Sequence, residues 1–387
     1  MWRKTGLLLV ILALILGAIL FNRERFKNVF KMPAIKTVET VQPQPTPPAD
    51  QAKTEIFSWH YKGKPYQIKL TLSQELYQYY VGSSHFYRSQ GEPPANWRDD
   101  FYGIFLATRP ADQTISSITG QLQQQAAANK LTADELVELT MGFVQSIPYD
   151  DAKAADKNSQ VNFPYETLYK KLGICSDKAV LAVALLRQLG YGAAVLVYPD
   201  RDHSSVGIEC PDQYALPGTS YCYAETTDFF PIGFVPQGFD KNRIAVNQTI
   251  AVGASQFDKV FDPVILGAGQ AYQQTHGKVY QGIAGTHQQI DKLKSLENFL
   301  AVAKPAIDAL KSSLDKQLTA VNVQAAKLDA YKRQQDAAAY NQLLPYYNEL
   351  VAAYNDAVNN YKLKIDNYNN TAAIYEQGIK ALHPAAK

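Results

Sequence analysis

The stretch LGICSDKAVLAVALLRQLG, residues 172–190, places a cysteine at the start of a strongly apolar run. A glycine-containing turn precedes Cys175, and the run behind it has the composition of a buried helix that ends near Gly190. Most cysteines in such surroundings are small hydrophobic core residues. A helix N-terminus also provides unpaired N–H groups and a partial positive charge, which favour a thiolate. A core residue and a nucleophile are therefore both open interpretations at this point.

The composition of the 387-residue chain narrows the class of protein. Apolar residues make up 46% and charged residues 19% of a chain long enough for two or more domains. The net charge is only +2 and no basic patch with interleaved aromatic residues is present, so we expect no nucleic-acid partner. Three cysteines are too few for a disulfide framework, and neither a CxxC pair nor a His-rich cluster predicts a metal site. No glycine motif for phosphate or dinucleotide binding occurs, and we expect no cofactor.

The N-terminus predicts a membrane anchor. Residues 5–21, TGLLLVILALILGAILF, carry no charge and have about the minimum length for crossing a bilayer. No small-residue cleavage site follows at the expected place, which favours an uncleaved transmembrane helix with its flank over residues 1–31. Strict counting of positive charges would place the body of the protein in the cytoplasm. A short basic head before an apolar run is also typical of a secretory signal-anchor, so we favour a single-pass protein with an extracytoplasmic body.

A proline-rich linker and a globular domain follow the anchor. Residues 32–54 contain VQPQPTPPADQ and predict an extended tether. The predicted catalytic domain spans residues 55–285. It begins with IFSWHYKGKPYQIKLTL, which predicts two strands joined by a short turn, and TADELVELTMGFVQSI predicts a helix capped by Thr132. After the cysteine helix, GAAVLVYP, SSVGIEC and SYCYAETT predict three strands, so the fold class is α+β.

Residues 286–382 carry a heptad pattern that predicts a helical coiled coil. In the first half, apolar residues recur at intervals of seven: Leu293, Leu300, Ile307, Leu314, Val321 and Leu328. In the second half, a row of tyrosines recurs at the same interval beside an apolar row: Tyr347, Tyr354, Tyr361, Tyr368 and Tyr375, with Leu344, Val351, Val358, Ile365, Ala372 and Ile379. The break around Ala337–Pro345 predicts an antiparallel hairpin.

Two features of this hairpin leave alternatives open. Pro305 falls inside the first predicted helix, where we expect it to kink the helix or to mark a helix start. The tyrosine row either packs along the seam with its hydroxyls at the edge or binds a glycan or a partner helix.

A nucleophilic thiol needs a base, usually histidine, and an acid that orients the histidine. Of the six histidines, only His203 lies just before a strand-like run shortly after the cysteine helix. YCYAETTD then supplies Glu225 and Asp228 near the third predicted strand. If residues 221–227 form a strand, Asp228 points away from Glu225, so only one carboxylate is expected to reach the imidazole. Spacing alone makes this order suggestive only.

Four segments resemble the transglutaminase-like superfamily, in particular its prokaryotic, membrane-anchored members: FVQSIPYDDA, NFPYETLYKKLGICSDKAVLAVALLRQLGYGAAVLV, HSSVGI and YCYAETTDFFPIG. The resemblance covers roughly Ser58 to Gly233 and implies a papain-like fold with a Cys-His-Asp triad. By position, Cys175 matches the nucleophile and His203 the base, and Glu225 falls where the family's aspartate usually stands. The chain departs from the family in this longer acid and in Gly-Ile-Cys, where the family commonly has Gly-Asp-Cys.

Further site residues follow from the same resemblance. The backbone N–H of Cys175 would help to stabilise an oxyanion. Gln145 and Tyr149, in the segment before the cysteine helix, are the candidate side-chain donors. Cys210 and Cys222 flank a turn-rich loop, where they either pair in an oxidising compartment or remain two reduced thiols.

The function implied is acyl transfer from a peptide or amide through a thioester at Cys175. Water resolves the thioester in a cysteine protease or amidase, and an amine resolves it in a transglutaminase. We favour hydrolysis, since no sequence feature indicates a binding site for an amine or a calcium cluster. The alternative is a catalytically inactive, membrane-tethered scaffold that uses the papain-like domain and the coiled coil. The expected partners are a peptide or protein substrate, the membrane, and a protein partner at the coiled coil.

Overall fold

The computed structural model describes residues 52–110, 112–236, 257, 260–261, 266–267 and 269–382. The chain divides into two compact units, and one boundary between them falls between Gln288 and Gln289. The predicted transmembrane helix and the linker up to residue 51 lie outside the described residues. Within the described part of the chain, no helix is long and apolar enough to cross a membrane.

The first unit opens with the predicted antiparallel hairpin, made of β1 (Ala52–Tyr61) and β2 (Lys64–Ser73). Lys62 and Gly63 form its turn, and both have left-handed backbone angles, φ 49° and φ 73°. Such angles match the twist of two strands joined by a two-residue loop. β1 begins three residues before the predicted start of the domain at residue 55.

The helices of the first unit come from the middle of the chain: α1 (Gln74–Val81), α2 (Trp97–Leu106), α3 (Thr114–Ala128), α4 (Ala133–Ser146), α5 (Asp151–Ala155), α6 (Pro164–Lys170) and α7 (Cys175–Gln188). α4 begins as the sequence predicts. The Thr132 hydroxyl accepts the Glu135 N–H at 3.2 Å, and the Glu135 carboxylate accepts the Thr132 N–H at 2.7 Å. The reciprocal pair satisfies two N–H groups that the helix itself leaves unpaired.

A four-stranded antiparallel sheet completes the first unit: β3 (Ala193–Tyr198), β4 (His203–Glu209), β5 (Tyr221–Ala224) and β6 (Gln270–Tyr272), in the order β5-β4-β3-β6. The first three strands lie where the sequence predicts them. β6 was not predicted, because it is a three-residue edge strand that is half-exposed and pairs only with Val195–Val197. α7 packs against β3 and β4 and is buried along most of its length. The first unit thus has the expected mixture of helices and sheet.

Two long helices follow, α8 (Ile283–Arg333) and α9 (Ala337–Leu382). The predicted heptad rows are buried or half-buried, whereas the positions between them are mostly exposed. The helices run antiparallel, since Tyr375 O–H donates to Glu297 at 3.4 Å and Gly378 lies against Leu293. The tyrosine row therefore lies along the seam, with Tyr375 its most buried member at 3% exposure.

The turn of the hairpin lies at residues 334–336, before the predicted break at Ala337–Pro345, so that boundary was wrong. Gln335 has a left-handed φ of 56°. The Asp336 N–H donates to Tyr331 O at 3.0 Å and the Gln335 N–H to Lys332 O at 3.3 Å, which is the bonding of a Schellman motif. Asp336 then caps α9 by accepting the Ala339 N–H at 3.0 Å.

Neither proline ends a helix. α8 continues through Pro305 and α9 continues through Pro345, so Pro305 does not mark a helix start. A proline inside a helix costs about 3 kcal/mol. The seam residues on both sides of each proline supply the packing that outweighs this local cost, because long helices are stabilised mainly through an apolar face.

Candidate active site

Cys175 is the first residue of α7, and a close turn leads into it. A Cβ on Gly173 would lie 3.0 Å from Thr167 Cγ2 and 3.2 Å from Asp177 Cβ, so a larger residue would crowd this turn. The Asp177 carboxylate accepts the Ile174 N–H at 3.0 Å and caps the helix. Because Asp177 provides the cap, the Ile174 departure from the family pattern leaves the helix start intact.

Two lysines fix the start of α7. Lys153 Nζ donates to both carboxylate oxygens of Asp177, at 2.7 and 2.9 Å. Lys178 is completely buried, and its Nζ donates to Ile147 O at 2.7 Å and Gln145 O at 3.3 Å, where α4 ends. Burial lowers the pKa of Lys178 to about 7, although nearby acidic groups oppose this. We did not single out Lys178 from the sequence, although a lysine inside an otherwise apolar helical run was the available signal.

His203 is the first residue of β4 and is buried. Asp202, with a left-handed φ of 50°, turns the chain so that His203 pairs with Tyr198 at the end of β3. His203 Nε2 lies 3.1 Å from Glu225 Oε2, and the ring also makes a hydrogen bond with Cys175. Since Nε2 faces the acid, Nδ1 is the ring nitrogen left for the thiol.

Glu225 follows the last residue of β5, and both of its oxygens are occupied. The Tyr223 O–H donates to Oε2, the oxygen that also faces His203. The N–H groups of Thr226 and Thr227 each donate to Oε1 at 2.8 Å, as does the Thr227 hydroxyl at 2.7 Å. The carboxylate is therefore held in one orientation toward the imidazole.

The structure brings Glu225, not Asp228, to His203. β5 ends at Ala224, so the alternation we assumed for residues 221–227 does not apply to either acid. The Asp228 carboxylate instead accepts the N–H of Phe229 at 2.8 Å. Glu225 is thus the carboxylate within hydrogen-bond distance of His203, and it lies beyond the end of the strand, where the assumed alternation does not apply.

The histidine and the acid stabilise each other's charged form. Burial alone would lower the pKa of His203, but the charge of Glu225 and the hydrogen bonds with Cys175 and Glu225 raise this pKa to about 10. Burial would raise the pKa of Glu225, yet His203 and the hydrogen bonds from Tyr223 and Thr227 hold it well below its usual range. The geometry therefore favours an imidazolium beside a carboxylate at neutral pH.

The two candidate oxyanion donors differ. Gln145 Nε2 donates to Glu225 O and to Phe230 O, each at 2.9 Å, so both of its amide hydrogens are used. Gln145 therefore fixes the segment after β5 and offers no donor to an oxyanion. Tyr149 lines the same cleft as Cys175, and its backbone pairs with Gly173. Burial and the charge of Cys175 raise the pKa of Tyr149 above its usual range, so its O–H keeps its proton.

Cys210 and Cys222 form a disulfide, with their Cα atoms 5.7 Å apart. Cys210 comes directly after β4 and Cys222 lies in β5. The bond therefore joins the two strands that carry His203 and lead to Glu225.

The centre opens into a cleft of about 220 Å³ that Cys175, His203 and Tyr149 line together. Within the described residues, no group of three or more His, Cys, Asp or Glu side chains is arranged to hold a metal ion. The chemistry that these residues can perform is nucleophilic attack by a thiolate that is paired with an imidazolium.

Residues 113–216 match the family model of a transglutaminase-like domain. The match supports assignment of this part of the chain to the transglutaminase-like superfamily. The matched residues include Cys175 and His203 and end before Glu225, so the family resemblance seen in the motifs is confirmed. No curated protein and no solved structure matches the chain.

Proposed function

We propose that this protein is a thiol enzyme that cleaves or transfers the acyl group of a peptide or amide bond. The observation that carries this proposal is the hydrogen-bonded line from Cys175 through His203 to Glu225. The match to a transglutaminase-like domain supports it, since that family generally includes cysteine-dependent enzymes. The alternative of an inactive scaffold leaves the buried and fully hydrogen-bonded acid without a role.

In the first half-reaction, the Cys175 proton has already passed to His203, and the thiolate sulfur attacks the substrate carbonyl carbon. The carbonyl electrons move to oxygen, where the Cys175 N–H and the Tyr149 O–H are the proposed donors. As the first helical residue, Cys175 has an N–H without a partner inside the helix. The intermediate then breaks its C–N bond, the imidazolium protonates the leaving amine, and a thioester remains on the sulfur.

In the second half-reaction, water attacks the thioester while His203 accepts its proton. The C–S bond breaks, the acyl group leaves as a carboxylic acid, and the thiolate and imidazolium of the starting state are restored. An amine in place of water gives a new amide by the same steps. We favour hydrolysis, because water needs no second binding site.

Glu225 acts through the histidine. An acid at this position fixes the ring orientation and stabilises the imidazolium, whereas it does not itself accept the proton. Four hydrogen bonds from Tyr223, Thr226 and Thr227 hold the carboxylate for this task.

We further propose a membrane-anchored protein with an extracytoplasmic body. The uncharged run over residues 5–21 supports the anchor. The disulfide between Cys210 and Cys222 supports the location, because such bonds persist in oxidising compartments. A peptide or protein is the proposed substrate, and the helical hairpin is the proposed surface for a protein partner.

The proposal is tested by the rate at which iodoacetamide alkylates Cys175 in the full chain at pH 7. Without reductant, the disulfide protects the other two cysteines, so intact mass reports Cys175 alone. We expect Glu225→Gln to slow alkylation by roughly tenfold or more, because the imidazolium loses its counter-charge. Asp228→Asn is the matched control and should stay within about twofold, since Asp228 bonds to the backbone beside it.

Equal small effects of the two substitutions would contradict the triad and favour the scaffold. A larger loss for Asp228→Asn would assign the role to the other carboxylate. Circular dichroism of both variants checks that each one is folded.

A further inference from the structure

One wall of the active-site cleft is aromatic. Five of its side chains come from one short stretch of the chain: Phe86, Tyr87, Trp97, Phe101 and Tyr102. This stretch lies outside residues 113–216, the part that matches the transglutaminase-like domain. The wall therefore comes from a part of the chain that the family match does not cover, and it lines the same cleft as Cys175.

A second part of the cleft lining, which we call the polar wall, carries polar side chains. It comes from the segment between α5 and α6 and includes Asp156, Lys157, Ser159 and Gln160. Cys175 and His203 line the same cavity. A group bound at the thiol therefore shares its cavity with both apolar surface and hydrogen-bonding groups, which suits a peptide with an apolar side chain.

The aromatic wall is built into the core. The Phe101 ring lies 5.1 Å from the rings of both Tyr102 and Phe105, and Phe105 is completely buried. Trp97 packs edge-on against Phe101 with 6.2 Å between ring centroids, and Tyr102 stacks on Tyr272 at 5.7 Å. Because these side chains are already ordered, they lose little conformational entropy when a ligand binds, and this favours affinity.

A hydrogen bond between His85 and Glu166 holds the loop before α2 in place. His85 Nε2 lies 2.8 Å from Glu166 Oε2, and His85 Nδ1 lies 2.8 Å from Ser83 O. Glu166 belongs to α6, which packs against the cysteine helix α7. The next residue, Phe86, lines the cleft but remains 47% exposed, so its ring still has apolar surface for a ligand to cover.

The size of the cleft fits an aromatic side chain with neighbouring peptide atoms. Its volume is about 220 Å³, and an apolar cavity of about 150 Å³ accepts one benzene ring. Aromatic rings also attract one another in offset or edge-on arrangements beyond the effect of buried area.

We propose that this cleft selects acyl donors with a large apolar side chain, best an aromatic one, next to the reacting carbonyl. This inference rests on the proposed thiol-enzyme function, since it places the reacting carbonyl at Cys175. The aromatic wall of residues 86–102 receives the side chain, and the polar segment of residues 156–160 receives the peptide groups.

The test uses four acetylated aminoacyl chloromethyl ketones that carry the side chain of Phe, Leu, Gly or Asp. The Cys175 sulfur displaces chloride and forms a stable thioether, so intact mass gives a second-order labelling rate for the full chain. Iodoacetamide carries no side chain and reports thiol reactivity alone. We expect the Phe probe to label at least about tenfold faster than the Gly probe, as burial of an aromatic side chain predicts.

Three variants locate the preference. Trp97→Ala and Phe86→Ala should each reduce the Phe-to-Gly ratio by roughly threefold or more and leave the iodoacetamide rate unchanged. Phe86 is half-exposed, so its removal does not threaten the fold. Tyr79→Ala is the matched control, because Tyr79 is equally exposed but does not line the cleft.

A Phe-to-Gly ratio near one with a normal iodoacetamide rate would overturn this inference and leave the thiol-enzyme function intact. Faster labelling by the Asp probe would also overturn it and assign selection to the polar wall. The thiol-enzyme function is tested separately. It would be contradicted if Glu225→Gln left the rate of alkylation by iodoacetamide unchanged.

Discussion

The candidate active site and the helical hairpin both depend on tyrosines, but in opposite ways. Tyr223 is completely buried, and its hydroxyl donates a hydrogen bond to Glu225 Oε2. The hairpin tyrosines repeat every seven residues, and most of them are only half-buried along a seam. One region concentrates its stability in a few specific bonds, whereas the other distributes it over many similar contacts.

This difference decides how each region responds to substitution. In the centre, removal of one partner leaves a buried charge or polar group without compensation. In the hairpin, removal of one seam residue subtracts a share of an additive apolar interface. The two regions also have separate optical probes: Trp59 and Trp97 lie in the first unit, and no tryptophan lies in residues 289–380.

The largest expected effect is that of Glu225→Gln on the stability of the first unit. The substitution leaves His203 buried without its counter-charge, so the free energy of unfolding should fall by about 3–5 kcal/mol at pH 6. Denaturation followed by tryptophan fluorescence measures this. A loss within about 0.5 kcal/mol would show that the pair contributes as little as an exposed ion pair.

The pH dependence of the same loss sharpens the comparison. The pKa of Glu225 lies below its ordinary value of 4.5, so its contribution is present above about pH 4.5 and is lost at lower pH. The pKa of His203 is raised from 6.5 to about 10, so its contribution is complete below pH 6.5 and is lost as the pH approaches 10. The difference between the wild type and Glu225→Gln should therefore be largest between these limits and shrink toward pH 10.

The disulfide should have the next largest effect, and it should be confined to stability. Replacement of both Cys210 and Cys222 by serine removes a cross-link across 12 residues. A loop of about that length predicts a loss of about 3 kcal/mol in the free energy of unfolding. Alkylation of Cys175 should keep its wild-type rate in this variant. Alkylation of Cys210 and Cys222 in the wild type without reductant would contradict the bond.

The smallest effect is expected in the hairpin. Leu328→Ala, at a buried seam position, should lower the free energy of unfolding by about 2 kcal/mol, measured by circular dichroism at the helical band. Leu363→Ala is the matched control, because Leu363 is 71% exposed and should change stability by less than about 0.5 kcal/mol. Tryptophan fluorescence should remain at its wild-type midpoint in both variants. Equal losses at the two positions would refute the seam.

The parts that could be predicted from sequence are those governed by local patterns. The heptad rows, the capping box of Thr132 and the first hairpin each depend on residues a few positions apart. The turn at Gln335 was misplaced, because a left-handed residue at a helix end is usually glycine or asparagine and Pro345 offered a stronger stop signal. The prolines also do not predict the ends of these helices, since packing along the seam outweighs the local free-energy cost of a proline inside a helix.

The parts that could not be predicted depend on contacts between distant segments. Gln145 was proposed as an oxyanion donor from its place in the chain, but its amide faces the carbonyls of Glu225 and Phe230, at least 80 residues away. The pair of His85 and Glu166 spans 81 residues, and nothing local to either one indicates it. Cys175 and His203 were selected through the family motif. The motif identifies residues that meet in the folded family members, whereas their spacing in the chain does not show that they meet.

The continuity of the hairpin helices gives this region a property that the candidate active site lacks. α9 has 46 residues in one helix, which corresponds to about 70 Å at 1.5 Å per residue. Because its seam repeats every seven residues, loss of one heptad from each helix keeps both rows in phase and shortens the hairpin by about 10 Å. The length of the hairpin can therefore change in steps of one heptad while the packing of its seam stays the same. The candidate active site contains no repeated unit that could be removed in this way, since each of its hydrogen bonds occurs once.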